Sequence, residues 1–164
     1  SKDVEGPRVR FFMTNEELKT KITELLTGAS FEEGGEFVTV NVEAAGWKAF
    51  ARHLFYEESL QFDFLTFCTA IDWKTHFTMV YYLDSTTYHH NLVVKIKLPA
   101  DKPEVETICD IWPTANFHER EVYELFGINF LNHPDLRLLI LPDGWEGKNP
   151  LRKNFEDPVN MIKL

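Results

Sequence analysis

The spacing of apolar residues predicts two helices in the N-terminal third of the chain. The first covers about residues 15 to 27, where Thr14 and Glu17 form a capping box and Gly28 supplies a left-handed stop. The second covers about residues 45 to 57 and repeats the same spacing of three or four residues. The apolar positions are Leu18, Ile22, Leu25 and Leu26 in the first helix and Trp47, Phe50, Ala51, Leu54 and Phe55 in the second.

Alternating apolar positions and β-branched or aromatic runs predict strands after each of these helices, as far as Ile111. The order is helix, strand, helix, several strands at hairpin spacing, and a later helix. It favours an α+β fold in which two helices pack on a mixed, mostly antiparallel sheet of about five strands. The predicted strands cover residues 36–42, 64–71, 77–83 and 91–98, with a shorter candidate at 105–111.

A short third helix is predicted between Asn116 and Gly127, because Asn116 and Glu119 form an N-x-x-E cap and Gly127 provides a stop. Prolines at positions 134, 142, 150 and 158 then break regular structure. We therefore expect a single domain with an α+β core over residues 1–129 and a long extended C-terminal tail over residues 130–164, which is a candidate for wrapping a partner.

Charge separates these two parts of the chain. The 164 residues carry a net charge of -9, which argues against nucleic-acid binding, because a phosphate-binding surface needs clustered cations. Residues 1–129 hold the whole of that -9, whereas residues 130–155 carry +1. The pattern leaves two interpretations open: the tail wraps a partner, or it folds back over its own sheet while Arg137 and Arg152 are solvated.

No catalytic, cofactor-binding or metal-binding residue is predicted. His118 and Glu119 begin an H-E-x-x pattern, but Val122 stands where a zinc protease needs its second histidine. Cys68 and Cys109 are too few for an iron–sulfur cluster or a structural zinc site, and no phosphate-binding glycine loop is present. The sequence also shows no secretory signal and no membrane-spanning run, so we expect a soluble intracellular protein.

A long ordered series of motifs resembles the thirty-kilodalton subunit family of respiratory complex I, which supplies the C-type subunit of NADH–quinone oxidoreductase. The resemblance covers about residues 60 to 157. The motifs lie at residues 62–65, 70–73, 115–128, 133–137, 141–147 and 150–153.

The resemblance implies a non-catalytic structural and assembly subunit of the hydrophilic arm of a proton-pumping respiratory-chain complex. It would dock beside the quinone-site subunit (the forty-nine-kilodalton, D-type subunit) and reach the membrane only through the complex, on the cytoplasmic face of a bacterial inner membrane or on the mitochondrial matrix face. Flavin and iron–sulfur clusters would lie in partner subunits, and NADH and quinone would be used by the whole complex. The implied motif and partner-contact residues are Glu119, Arg120, Glu121, Gly127, His133, Pro134, Asp135, Arg137, Pro142, Pro150, Leu151, Arg152 and Lys153.

The chain departs from the family pattern at four positions. Family members generally have Asp at Glu124, Gly at Asn132, Arg at Leu138 and Asp at Asn154. The same domain also resembles scaffold subunits of energy-converting membrane-bound hydrogenases. Two other hypotheses are an independent soluble adaptor and an enzyme that uses the carboxylates of Glu119 and Glu121 with His118.

Overall fold

The computed structural model describes residues 12–157, which contain three helices and seven strands. In chain order these are α1 (Asn15–Leu25), β1 (Ser30–Glu32), β2 (Val38–Asn41), α2 (Ala44–Tyr56), β3 (Phe64–Asp72), β4 (His76–Asp84), β5 (Asn91–Pro99), β6 (Glu104–Glu106), α3 (Ala115–Phe126) and β7 (Asn129–Leu131).

The main sheet is five-stranded and mixed, in the order β1-β2-β5-β4-β3, and it confirms the predicted α+β class. Strands β3, β4 and β5 form two successive antiparallel hairpins, whereas β2 lies parallel to β5, with Val38 opposite Leu92. Because side chains alternate along a strand, one face of the sheet carries the buried apolar residues. Helix α2 packs on this face, where the Trp47 ring lies 4.6 Å from the Tyr81 ring.

A second sheet contains only β6 and β7, which pair in parallel with α3 between them. The strand predicted over residues 105–111 is therefore wrong beyond Glu106. The amides of Ile111 and Trp112 both bond to the carbonyl of Ile108, so the chain turns there and enters α3. Strands β1 and β7 were not predicted, because three residues are too few to show an alternating pattern.

The helix ends test the capping predictions. The Thr14–Glu17 capping box is present, although α1 ends at Leu25 rather than at residue 27. Gly127 has φ +74° and ends α3 as predicted. The predicted Asn116 cap is wrong: Asn116 lies inside a helix that begins at Ala115, and no side chain caps this end. Glu119, the expected capping partner, instead accepts hydrogen bonds from Thr107 and Ile108.

The predicted boundary between residues 129 and 130 falls inside β7. From residue 132 to residue 157 the chain forms turns and irregular backbone, and we call this stretch the tail segment. Residues 158–164 of the predicted tail lie outside the described residues. Within residues 12–157, no helix combines the length and apolar character that crossing a bilayer requires.

Candidate partner-binding segment and its support

The tail segment follows helix α3 from its first turn to its last. Near the start of α3, the His133 ring lies 3.3 Å from the carbonyl oxygen of Asn116. At the end of α3, the Leu151 amide donates to the carbonyl of Leu125 over 3.0 Å. The predicted motif residues in α3 and in the tail therefore meet. Over residues 132–157 the tail folds back on its own chain, but it runs mainly along α3 rather than over the sheet as the folded-back interpretation expected.

Arg120 holds the first part of this path. Its Nη2 donates to the carbonyl of Leu138 over 2.9 Å, and its Nε donates to the carbonyl of Arg137 over 3.3 Å. The residue is buried, so its guanidinium exchanges water for these two carbonyl oxygens. Because Leu138 takes part through its backbone, its departure from the family's arginine leaves this contact intact.

Glu124 holds the next three residues of the tail segment. Its buried carboxylate accepts hydrogen bonds from the amides of Leu139, Ile140 and Leu141, at 2.8, 3.1 and 3.2 Å respectively. Glu124 stands out in the sequence only as a departure from the family's aspartate, since no spacing rule connects it with residues 139 to 141. Arg120 and Glu124, one helical turn apart, both reach the tail backbone.

Glu119 forms a second buried polar contact on α3. Its carboxylate accepts hydrogen bonds from the Thr107 hydroxyl and, over 2.9 Å, from the Ile108 amide. The His133 Nε2 lies 3.6 Å from the same carboxylate, and both side chains are fully enclosed. Burial raises the pKa of Glu119 to about 7, although both hydrogen bonds oppose that change. Burial likewise lowers the pKa of His133 below its usual value.

Gly127 allows the tail to approach the end of α3 closely. A β-carbon at this position would lie 2.6 Å from Nδ2 of Asn149 and 2.8 Å from Nη2 of Arg152. Arg152 donates from Nε to the carbonyl of Phe126 and lies over the Phe77 ring. Its predicted solvation in the folded-back interpretation is therefore wrong, since the side chain closes the end of α3.

Lys153 attaches the tail to the main sheet. Its amide donates to Oδ2 of Asp72 over 2.8 Å, while the Lys74 amide donates to Oδ1 over 2.7 Å. Burial opposes ionisation of Asp72, but these two amide hydrogen bonds lower its pKa. The Lys153 ammonium also lies 5.9 Å from the centre of the Trp73 ring.

Among the described residues, the side chains of the other predicted site residues make no such anchoring contacts. Asp135 and Arg137 are exposed and pair with each other at 3.0 Å, so Arg137 is solvated as the folded-back interpretation expected. Glu121 points away from Glu119 and lines a groove between α3 and β3, beside Phe67. Pro134 and Pro142 are exposed, and Pro150 is half-buried.

Several apolar side chains of α3 and the tail segment face solvent. Ile140 is 69% exposed and the adjacent Leu139 is 37% exposed. Phe117 on α3 and Leu151 near the end of the path are also exposed. A surface that combines fixed backbone with exposed apolar side chains is typical of a protein-binding surface.

One group of potential metal ligands escaped the sequence analysis because its members are far apart along the chain. Ligand atoms of Cys109, Glu119 and His133 lie within 4.8 Å of one another. The His133 Nδ1, however, accepts a hydrogen bond from the Asp135 amide over 3.0 Å, which places the ring proton on Nε2. That proton faces Asn116 and Glu119, so the nitrogen nearest the carboxylate acts as a hydrogen-bond donor rather than as a metal ligand.

Comparison with known families matches residues 40–159 to the family described as the 30 Kd subunit of respiratory-chain NADH dehydrogenase. The chain is 37% identical over 122 residues to the C subunit of NADH-quinone oxidoreductase from Chloroherpeton thalassium, covering 73% of this chain and 50% of that protein. It is 41% identical over 104 residues to a C/D subunit of the same enzyme from Phocaeicola vulgatus, covering 62% of this chain and 20% of that protein. The chain thus spans half or less of these two relatives. A third relative, the C subunit of the F(420)H(2) dehydrogenase of Methanosarcina mazei, is 37% identical over 142 residues, covering 82% of this chain and 90% of that protein.

Two solved structures have a similar fold. A chain of the membrane-bound sulfane sulfur reductase, an archaeal respiratory membrane complex, superposes with a TM-score of 0.76 and 28% identity. That match covers 86% of this chain and 85% of the other. The trypsin-resistant fragment of Nqo5 gives a TM-score of 0.62 with 29% identity, covering 74% of this chain and 98% of the fragment.

Proposed function

Because this chain belongs to the family of the 30 Kd subunit of respiratory-chain NADH dehydrogenase, we propose that it is an assembly subunit of the peripheral arm of a proton-pumping NADH–quinone oxidoreductase. It binds the quinone-site subunit, which is the forty-nine-kilodalton or D-type subunit. It reaches the membrane only through the complex, at the cytoplasmic face of a bacterial inner membrane or at the mitochondrial matrix face.

The observation that carries this proposal is the support of the tail segment by α3. Arg120 and Glu124 on α3 bind the backbone of the tail segment, while the side chains of Ile140 and Leu151 face solvent. Buried charged groups that hold a loop in place make a preorganised binding surface, which reduces the entropy lost on association. A scaffold with this surface needs a protein partner to cover it.

The choice of partner rests on relatives in which two subunits form one chain. The Phocaeicola vulgatus relative is a C/D protein, and so is a relative from Acidiphilium cryptum. Fusion places the C and D portions at high effective concentration, which suits subunits that are neighbours in an assembly. We extend that association to this chain as a noncovalent contact.

The catalytic work of the assembly is assigned to other subunits in this proposal. The two buried carboxylates of α3 are engaged with the chain itself: Glu119 with Thr107 and Ile108, and Glu124 with the tail backbone. The flavin, the iron–sulfur clusters and the quinone and NADH sites would then lie in partner subunits. This chain would contribute shape and contacts.

A second candidate function is the equivalent scaffold role in another membrane-bound oxidoreductase, such as an energy-converting hydrogenase. It is favoured by the Methanosarcina mazei relative, 90% of whose length is matched by this chain, and by the fold shared with the sulfane sulfur reductase chain. The electron-input subunits that co-purify with the native assembly distinguish the two functions. Flavin-containing NADH dehydrogenase subunits support complex I, and a nickel–iron centre supports a hydrogenase.

Co-purification tests the docking role. The chain and the D-type homologue encoded in the same genome are co-expressed, and the retained partner is quantified for the full chain and for a variant that ends at Leu131. We expect the full chain to retain the partner and the truncated chain to lose most of it. Since truncation leaves Arg120 and Glu124 without ligands, circular dichroism must show that the truncated chain is folded.

A milder pair of variants keeps the test valid if truncation unfolds the protein. Leu151→Ser changes a tail side chain that is 53% exposed, and Phe64→Ser changes a side chain of β3 that is 48% exposed. Only the tail variant should reduce partner retention. Equal retention by both variants and by the truncated chain would contradict a docking role for the tail segment.

A further inference from the structure

The loop from Arg137 to Leu141, which we call the presenting loop, is fixed at five consecutive backbone positions. Arg120 binds the carbonyls of residues 137 and 138, and Glu124 binds the amides of residues 139 to 141. A carboxylate that accepts several amide hydrogen bonds forms a strong, charge-assisted contact. These three amides are therefore already satisfied, and the presenting loop can contact a partner mainly through its side chains.

Ile140 is the most exposed of the four apolar side chains in this loop. It is 69% exposed, Leu139 is 37% exposed, and Leu138 and Leu141 are half-buried. A single exposed apolar residue is ordinary on a protein surface. Here, however, the buried side chains of Arg120 and Glu124 fix the backbone around it, at a desolvation cost that a freely solvated loop would not incur.

The side chain of Ile140 is also stiff. A β-branched residue has restricted χ1 freedom, and its backbone is already held, so little conformational entropy remains to be lost when a partner covers it. Binding hot spots are side chains of this kind, which enter a pocket at the centre of an interface and are fully desolvated there. The exposed pair Asp135 and Arg137 is better suited to the polar rim of the interface.

We propose that Ile140 is the anchor side chain of the contact with the quinone-site subunit, and that it inserts into an apolar pocket on that subunit. Glu124 is its positioning residue. The inference rests on the proposed docking function and adds the side chain that carries the affinity. The fused C/D relatives supply the reason for committing to this partner rather than to a second copy of the chain.

The anchor is tested by measuring the dissociation constant of the full chain for the purified D-type homologue. Ile140→Ala should raise the dissociation constant by about tenfold or more, as truncation of a hot-spot side chain does. Ile71→Ala is the matched control, because Ile71 is the same residue type and is 36% exposed on β3. This control should change the constant by less than about twofold.

The outcomes separate the two proposals. If the unmodified chain fails to bind the D-type homologue, the proposed docking function is wrong. If the unmodified chain binds while Ile140→Ala and Ile71→Ala bind equally well, docking stands and the anchor assignment is overturned. If both variants weaken binding to the same extent, the interface is not centred on the presenting loop and the assignment is again overturned.

The positioning role of Glu124 needs a measurement on the loop itself. Glu124→Gln removes the negative charge and one of the two acceptor oxygens and turns an NH2 group toward the Ile140 amide, whereas Glu124→Asp keeps a carboxylate. We expect rapid hydrogen exchange at the amides of residues 139 to 141 and weakened partner binding in the Gln variant, with both restored toward normal in the Asp variant. Unchanged exchange at these amides in the Gln variant would overturn the role.

Discussion

Glu119, Arg120 and Glu124 are three ionisable residues that the fold removes from water, and each has different partners. Glu119 bonds to the polypeptide just before α3 and faces His133, whereas Arg120 and Glu124 bond to backbone atoms of the presenting loop. Burial of a charged group without a partner costs several kcal/mol, so each of these contacts must form in the folded chain. The stability of the folded chain therefore depends on pH through Glu119 and on the tail segment through Arg120 and Glu124.

Glu119→Gln should change how the free energy of unfolding depends on pH. The pKa of Glu119 is raised from 4.5 to about 7 in the folded protein. Between these values the folded chain binds more protons than the unfolded chain, so this group lowers stability as pH rises through the window. The Gln variant lacks that contribution and should gain stability relative to the unmodified chain between pH 5 and pH 7.5, by up to a few kcal/mol.

Urea unfolding at the two pH values measures that difference. Glu121→Gln is the control, because Glu121 is on the same helix and is only half-buried. The lowered pKa of His133 acts in the opposite direction and removes stability as pH falls. Because His133 is present in both proteins, most of its contribution cancels in the comparison. A stability difference between Glu119→Gln and the unmodified chain that is the same at both pH values would contradict the raised pKa.

Gly127→Ala should destabilise the chain by about 1 to 3 kcal/mol. The backbone at Gly127 has φ +74°, and the added β-carbon would lie 2.6 Å from Asn149 and 2.8 Å from Arg152. Gly46→Ala is the control, since Gly46 lies within α2 and has no atom near the added carbon. That change should stabilise the protein by about 0.5 to 1 kcal/mol. Thermal unfolding measures the change in stability of both variants. Equal changes would show that the tail does not pack closely against Gly127.

At the scale of elements, α3 shows how far the sequence could predict. Its end at Gly127 was predicted, because a left-handed glycine stop is a local property of the chain. Its start was not predicted, because Glu119 does not pair with Asn116 in a cap. The Glu119 carboxylate instead accepts hydrogen bonds from the Thr107 hydroxyl and the Ile108 amide, which precede the helix. A capping pattern reports only neighbours in sequence.

The strands show the same limit. The hairpin strands β3, β4 and β5 were predicted within one or two residues at each end, since alternation over nine residues is a strong pattern. For the tail segment, the sequence indicated only its composition and its breaks at proline. No spacing rule predicts the contacts of Glu124 with residues 139 to 141. The candidate site was therefore located by family motifs, whereas its geometry came from the fold.

Arg120→Ala tests whether α3 holds the tail segment. Loss of charge-assisted hydrogen bonds to the carbonyls of Arg137 and Leu138 should lower the free energy of unfolding by about 1.5 to 3 kcal/mol and accelerate proteolysis within the tail. Arg120→Lys should not restore either property, because both Nε and Nη2 are used and an ammonium cannot reproduce that planar pair.

The control for this test is Arg52→Ala, which removes an exposed arginine whose nearest carboxylate, on Asp110, is 3.9 Å away. Such a pair contributes less than about 1 kcal/mol. Tail proteolysis should be unchanged in this variant. If Arg120→Ala leaves the tail as resistant as the control does, the segment is held by other contacts.

At the scale of the whole molecule, the charge pattern and the structure agree on where a partner would bind. The net charge of -9 belongs to residues 1–129, and residues 130–155 are close to neutral. The same stretch carries Ile140, Leu139 and Leu151 at the surface. A protein partner could therefore approach the tail without strong repulsion from the acidic core, whereas nucleic acid would meet an excess of negative charge.

The parallel pairing of β2 with β5 affects how the chain must fold as it is synthesised. Strand β2 leaves the ribosome early, but its partner residues in β5, such as Leu92 opposite Val38, are made only after β3 and β4. Until then β2 and the β1 strand paired with it have no sheet to join, and their apolar side chains must wait in the unfolded chain. Folding of the N-terminal half is therefore expected to be completed only after β5 has been synthesised.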